Sequence, residues 1–98
     1  MKLEITSKQR ATLRSMANDF ETIFQIGKDG ISDETVRQVS NALEARELIK
    51  LRVLDNCPYT SREASDIIAE RTNSAPVSVV GSRFVLYRPS KKNKKIVL

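Results

Sequence analysis

Few residues of this chain have the type and spacing to do chemistry, and the densest group of them runs from Gly27 to Gly30. There the apolar run Ile23-Phe24-Gln25-Ile26 stops in Gly27-Lys28-Asp29-Gly30, and Ile31-Ser32-Asp33-Glu34 opens a new segment at once. Glycine has no Cβ, so at Gly27 and Gly30 the backbone can take positive φ and lie open to a bulky anion. The N-terminus of the following helix carries partial positive charge, and Lys28 at the loop tip adds a mobile cation. The combination is a candidate clamp on nucleic-acid phosphates. Asp29 weakens that attraction and is expected to point away from the anion. The same four residues also suit a plain strand-to-helix turn.

Other chemistries are excluded by what the chain lacks. A nucleotide-binding P-loop needs a glycine five residues before its Gly-Lys pair and a Ser or Thr after the lysine, where this chain has Thr22 and Asp29. Histidine is absent, which removes Ser-His, Cys-His and His-metal sites, and Cys57 is the only cysteine, which removes an internal disulfide and a thiolate metal cluster. A metal nuclease needs clustered carboxylates, whereas Asp29, Asp33 and Glu34 fit the start of a helix. Neither catalysis nor a cofactor is expected.

Charge points the same way as the loop. The chain of 98 residues carries a net charge of +5, and every carboxylate lies at or before Glu70. Beyond it come Arg71, Arg83, Arg88, Lys91, Lys92, Lys94 and Lys95 with nothing acidic to offset them, the electrostatic footprint of a polyanion binder. No apolar run approaches the ~20 residues of a membrane span, and Met1-Lys2-Leu3-Glu4-Ile5-Thr6 is no signal peptide, so the expected location is the cytoplasm. The length suits one domain over 1–98, with a basic segment at 90–95.

These residues need elements to hold them. Thr6 or Ser7 can cap a helix to about Asn18, with Leu13, Met16, Ala17 and Phe20 as its core stripe. Thr22 to Ile26 suits a short strand. Ser32 caps a second helix to about Arg46, with Val36, Val39, Ala42 and Leu43 on its apolar face. Leu48 to Leu54 alternates Ile49, Leu51 and Val53 with Lys50 and Arg52, a strand with one core face and one basic face. Thr60-Ser61-Arg62-Glu63 is a capping box for a third helix. Val77 to Val80 and Arg83 to Arg88 form a hairpin across Gly81-Ser82. The order helix, strand, helix, strand, helix, strand, strand predicts an α+β (α/β two-layer) fold with a mixed sheet of about four strands. A right-handed crossover makes the first two strands neighbours or near neighbours.

Three motifs follow one another along the chain: Gln25-Ile26-Gly27-Lys28-Asp29-Gly30, then Ala42-Leu43-Glu44-Ala45-Arg46-Glu47-Leu48-Ile49-Lys50, then Val80-Gly81 with Val85-Leu86-Tyr87-Arg88. Together they resemble the stand-alone CRM domain of the bacterial YhbY type, from Lys8-Gln9-Arg10 to Ile96. The chain departs from that pattern at Phe20-Glu21-Thr22, where a Pro is common, at Arg46, where a His is common, and at Ser78, where a Gln is common. The resemblance implies an RNA-binding fold similar to the C-terminal domain of translation initiation factor three, and association with precursors of the large ribosomal subunit.

On that reading the chain is an RNA-binding ribosome-assembly factor whose partner is ribosomal RNA. Gly27, Asp29 and Gly30 form the loop; Lys28, Lys50, Arg52, Arg83 and Arg88 hold phosphates, with Lys91 and Lys92 in the basic tail. Phe84 and Tyr87 are the aromatics considered for base stacking, although rings in apolar strands are usually core. A protein-interaction module with an acidic protein partner is the alternative. Nothing in the sequence demands more than a monomer.

Overall fold

A computed structural model describes residues 2–98. The elements follow the expected order: α1 (Ser7–Ala17), β1 (Thr22–Ile26), α2 (Asp33–Arg46), β2 (Leu48–Val53), α3 (Ser61–Thr72), β3 (Ala75–Val80) and β4 (Arg83–Tyr87). The four strands form one sheet in the order β1-β2-β4-β3. β1 runs parallel to β2 across the α2 crossover, and the other two pairings are antiparallel, so the sheet is mixed and the class is α+β.

Local chemistry accounts for the helix starts. Thr6 with Gln9, and Thr60 with Glu63, make reciprocal capping boxes, while the Ser32 side chain accepts from the Thr35 N–H. α2 ends without a linker because Glu47 reverses the chain alone, at φ 67. A non-glycine residue there is costly, about 1–3 kcal/mol, and persists only where surrounding bonds fix it.

Alternation along β2 and β4 sorts the core onto both sheet faces. Ile49, Leu51, Phe84 and Leu86 pack against Val39 and Leu43 of α2 and Ala64, Ile68 and Ala69 of α3. Leu48, Val85 and Tyr87 point the other way and pack with Val77 against Leu13 and Ala17 of α1. The expected two layers are the sheet with α2 and α3, and α1 adds a partial cover on the opposite face. α1 touches β3, β2 and β4, which leaves the β1 side of that face open.

The stripe expected on α1 ends sooner than its spacing suggests. Leu13 and Ala17 are fully buried, but Met16 and Phe20 are each 42% exposed. The helix stops at Ala17 and the chain turns, with the Phe20 N–H donating to the Ala17 carbonyl at 3.0 Å, so Phe20 falls outside the helical period.

Candidate nucleic-acid interface

The glycine loop is a closed turn at the C-terminal end of β1. The Gly30 N–H donates to the Gly27 carbonyl at 3.0 Å, leaving Lys28 and Asp29 exposed at the tip. Gly30 has φ +67, and a Cβ there would lie 3.3 Å from Pro58 Cγ and 3.4 Å from Tyr59 Cε2. Gly27 is different. It is not among the positive-φ residues, and a Cβ on it would make ordinary 3.6 Å contacts with Asn56 and Leu54. Positive φ, expected at both glycines, is needed only at Gly30. The helix terminus behind the loop is already occupied: Ser32 caps it, and Asp33 pairs with Arg71 at 2.5 Å.

Strand order gathers three connections at this end of the sheet. The Leu54 N–H bonds to the Ile26 carbonyl at 2.9 Å, the Val53 N–H to the Ser82 carbonyl at 2.7 Å, and the Ser61 hydroxyl to the Gly81 carbonyl at 2.6 Å. The last rows of the sheet therefore lie beside the glycine turn. On the face that carries α1, Arg52 stands between Gln25 of β1 and Arg83 of β4, with Lys50 one pleat behind, between Thr22 and Val85. A groove of about 260 Å³ runs between α1 and this face, lined by Arg14, Lys50, Arg83 and Val80 among others. Lys50 Nζ lies 3.5 Å from the Asn18 carbonyl at the end of α1. Among the described residues, no ion pair joins Arg14, Lys50, Arg52 or Arg83 to a carboxylate.

Arg88, Lys91 and Lys92 lie at the opposite end of β2, about 17–20 Å away for a strand of this length. The Arg88 guanidinium is turned inward, donating to the Ser40 hydroxyl at 3.0 Å, the Ser40 carbonyl at 2.7 Å and the Thr72 carbonyl at 2.8 Å. It ties α2 to α3. The lysine-rich segment, which the sequence presents as a solvated tail, is a strap held by Glu44 of α2 and by Glu47, the residue that ends that helix. Glu47, fully buried, accepts the N–H groups of Ser90 at 2.7 Å, Lys95 at 2.5 Å and Ile96 at 2.7 Å. Glu44 accepts the Ser90 hydroxyl and the N–H groups of Lys91 at 3.1 Å and Lys92 at 3.3 Å. Burial pushes the Glu47 carboxyl up, but the three N–H donors outweigh it and hold the group below its ordinary value. The Ser90 hydroxyl, aided by the Lys91 N–H, lowers Glu44 in the same direction. The lysine side chains at 91, 92 and 94 remain exposed on this ordered strap.

Neither aromatic considered for stacking is available. Phe84 is 1% and Tyr87 3% exposed, on opposite faces of β4. The exposed rings are Phe20 and Tyr59, and Tyr59 packs against Gly30. Those two rings and the Glu44–Glu47 pair were not legible as site features, whereas Arg14 reads from the sequence as a solvated helix cation able to extend a binding surface. The two carboxylates meet partners more than forty positions away in sequence.

Comparison with known proteins decides the family. The model of the CRS1/YhbY (CRM) domain matches residues 5–88. The chain belongs to the CRM family. Relatives of this CRM chain extend over nearly its whole length. A Bacillus subtilis protein named as a probable RNA-binding protein, YqeI, is 43% identical over 94 residues, covering 96% of this chain and 98% of its own. A Haemophilus influenzae RNA-binding protein is 30% identical over 90 residues, covering 92% and 91%. The solution structure of a hypothetical Staphylococcus aureus protein, described as a candidate RNA binder, matches with a TM-score of 0.81 at 45% identity over 97% of this chain and 99% of that one.

Proposed function

We propose that this CRM protein binds RNA through the glycine-turn end of its sheet. The observation that carries the reading is the set of cations on the sheet face that carries α1: Lys50, Arg52 and Arg83, joined by Arg14 of the helix itself, none of them in an ion pair with a carboxylate among the described residues. Clustering like charges without compensation lowers stability, and a polyanion is the ligand that reverses the cost. Lys28 extends the same surface around the turn, where Gly30 keeps the backbone uncovered. Asp29, exposed at the same tip, subtracts from that attraction.

The partner is ribosomal RNA in precursors of the large ribosomal subunit, and the protein acts there as a monomeric assembly factor in the cytoplasm. Membership of the CRM family and the likeness of its three motifs to the YhbY type support this finer reading. Binding is to backbone and shape, since the buried aromatics leave few rings for reading bases. The exposed lysines of the strap add attraction that any RNA shares.

Crosslinking the protein to RNA in cells and mapping the adducts tests both levels. Adducts concentrated in large-subunit ribosomal RNA, at Lys28, Arg52 and Arg83, are the expected result. Recovery of an acidic protein instead, with no nucleic acid at low salt, overturns the reading in favour of a protein-interaction module.

A further inference from the structure

A second cleft opens on the other side of Lys50. It measures about 490 Å³ and is lined by Phe20, Glu21, Ile23, Arg46, Leu48, Ile49 and Lys50. Its origin is the offset between two strands. The parallel pairing of β1 with β2 begins at Thr22 and Lys50, so Leu48 and Ile49 have no strand beside them on that edge. The α1–β1 connection crosses the gap instead and leaves Phe20 42% exposed above it.

The chemistry of the lining is specific. Leu48 and Ile49 are buried core residues, 2% and 1% exposed, so the apolar surface open to the cleft comes from half-buried Ile23 and from Phe20. Phe20 supplies an aromatic face. Arg46, exposed at the end of α2, and Lys50 supply two cations against the single carboxylate of Glu21. An apolar slot with an exposed ring and flanking cations suits a flat aromatic group attached to phosphate. Lys50 also lines the groove beneath α1 with Arg14 and Arg83, so the two clefts are neighbours that share one side chain.

We infer that the Phe20 cleft takes an unpaired nucleobase of a single-stranded RNA segment, whose phosphates run over Lys50 toward Arg14 and Arg83. The inference rests on the RNA-binding reading above and adds the state of the RNA. Glu21 keeps phosphate away from the base end, which sets the strand with its backbone on the Lys50 side. A base paired in a duplex cannot reach the slot, so the cleft discriminates single-stranded from double-stranded RNA.

The test uses the full-length protein and two RNAs: a short single-stranded oligonucleotide carrying one fluorescent purine, and a perfect duplex of the same length. Stacking on Phe20 quenches the purine, and Phe20→Ala removes the quenching and weakens single-strand binding about 5-fold or more. Phe20→Leu keeps the apolar bulk without the π face and should melt like the parent yet show the same loss. Phe20→Trp should restore both signals. Duplex affinity stays unchanged in all three variants. If Phe20→Leu and Phe20→Ala bind and quench like the parent, the cleft holds no base, while the RNA-binding reading survives. If the parent binds neither RNA at low salt, that reading fails and takes the inference with it.

Discussion

Arg52 stands directly opposite Arg83 across the antiparallel pairing of β2 with β4, and among the described residues neither is ion-paired to a carboxylate. Facing cations repel each other, and a sheet selected for stability alone would place a Thr or an opposite charge at one of the two positions. Both residues are exposed at the glycine-turn end of the sheet face that carries α1, where solvent and any ligand reach them. On the proposed interface, stability and binding therefore pull in opposite directions at these two positions.

Replacing Arg83 with Thr relieves the repulsion and suits a strand, so the variant gains about 0.2–1 kcal/mol of stability. Its RNA affinity falls, and the slope of log affinity against log salt becomes shallower by roughly 0.7 to 0.9, the change expected when one phosphate is no longer neutralised. Denaturant melts and a salt series of binding isotherms check the two effects on the same sample. A variant that binds as tightly as the parent takes Arg83 out of the interface.

Lys28→Glu separates charge from folding. Lys28 is exposed at the turn tip, so reversal leaves the melting temperature unchanged while RNA binding at low salt weakens several-fold. Equal affinities for variant and parent remove Lys28 from the surface.

The two glycines of the loop should respond differently. Gly30→Val combines a β-branched residue at φ +67 with a Cβ 3.3 Å from Pro58, and it should lose about 1–3 kcal/mol and disturb the turn. Gly27→Ala meets only ordinary contacts and should fold and bind like the parent. Thermal melting of both variants checks this, and equal losses at the two positions would contradict the conformations assigned to them.

Glu47→Gln tests the strap. The amide turns an N–H group toward at least one of the donors at Ser90, Lys95 and Ile96, and should cost about 1.5–3 kcal/mol. Hydrogen exchange at those three amides rises. Acid should act on the same bonds. Glu47 and Glu44 are held below the ordinary 4.5 in the folded chain, so the stability they contribute is complete above that value and is lost as pH falls through their folded-state values. The parent therefore loses stability with acid below about pH 4.5 more steeply than Glu47→Gln does. Parallel acid profiles for the two proteins would show that Glu47 is not the linked group.

Periodicity and capping carried the fold because both are local. Ser32, and Thr60 with Glu63, announce helix starts within four residues, and Ile49-Lys50-Leu51-Arg52-Val53 displays its two faces directly. The candidate site was partly legible for the same reason: Lys28 and Gly30 mark the turn, and Lys50 and Arg52 mark the basic face. What escaped depends on distant partners. Arg88 and Arg83 look alike in sequence, yet one is bound to Ser40 and Thr72 and the other faces solvent. Phe20 continues the spacing of Leu13 and Ala17, yet the helix ends before it. The strap needs Glu44 and Glu47 to meet Ser90 through Ile96, which no local pattern encodes.

The central claim is that recognition belongs to the glycine-turn end of the sheet and not to the strap. Two triple variants remove equal charge from the two ends: Lys28, Lys50 and Arg52 to Ala, or Lys91, Lys92 and Lys94 to Ala. Binding of each to large-subunit ribosomal RNA and to an unrelated RNA, across a salt series, compares them directly. The first variant should lose affinity and also its preference for the ribosomal RNA, because groups fixed on ordered strands and a turn register one backbone shape. The second should weaken equally for both RNAs and keep the preference. A strap variant that loses its preference, beside a sheet variant that keeps it, would contradict the account.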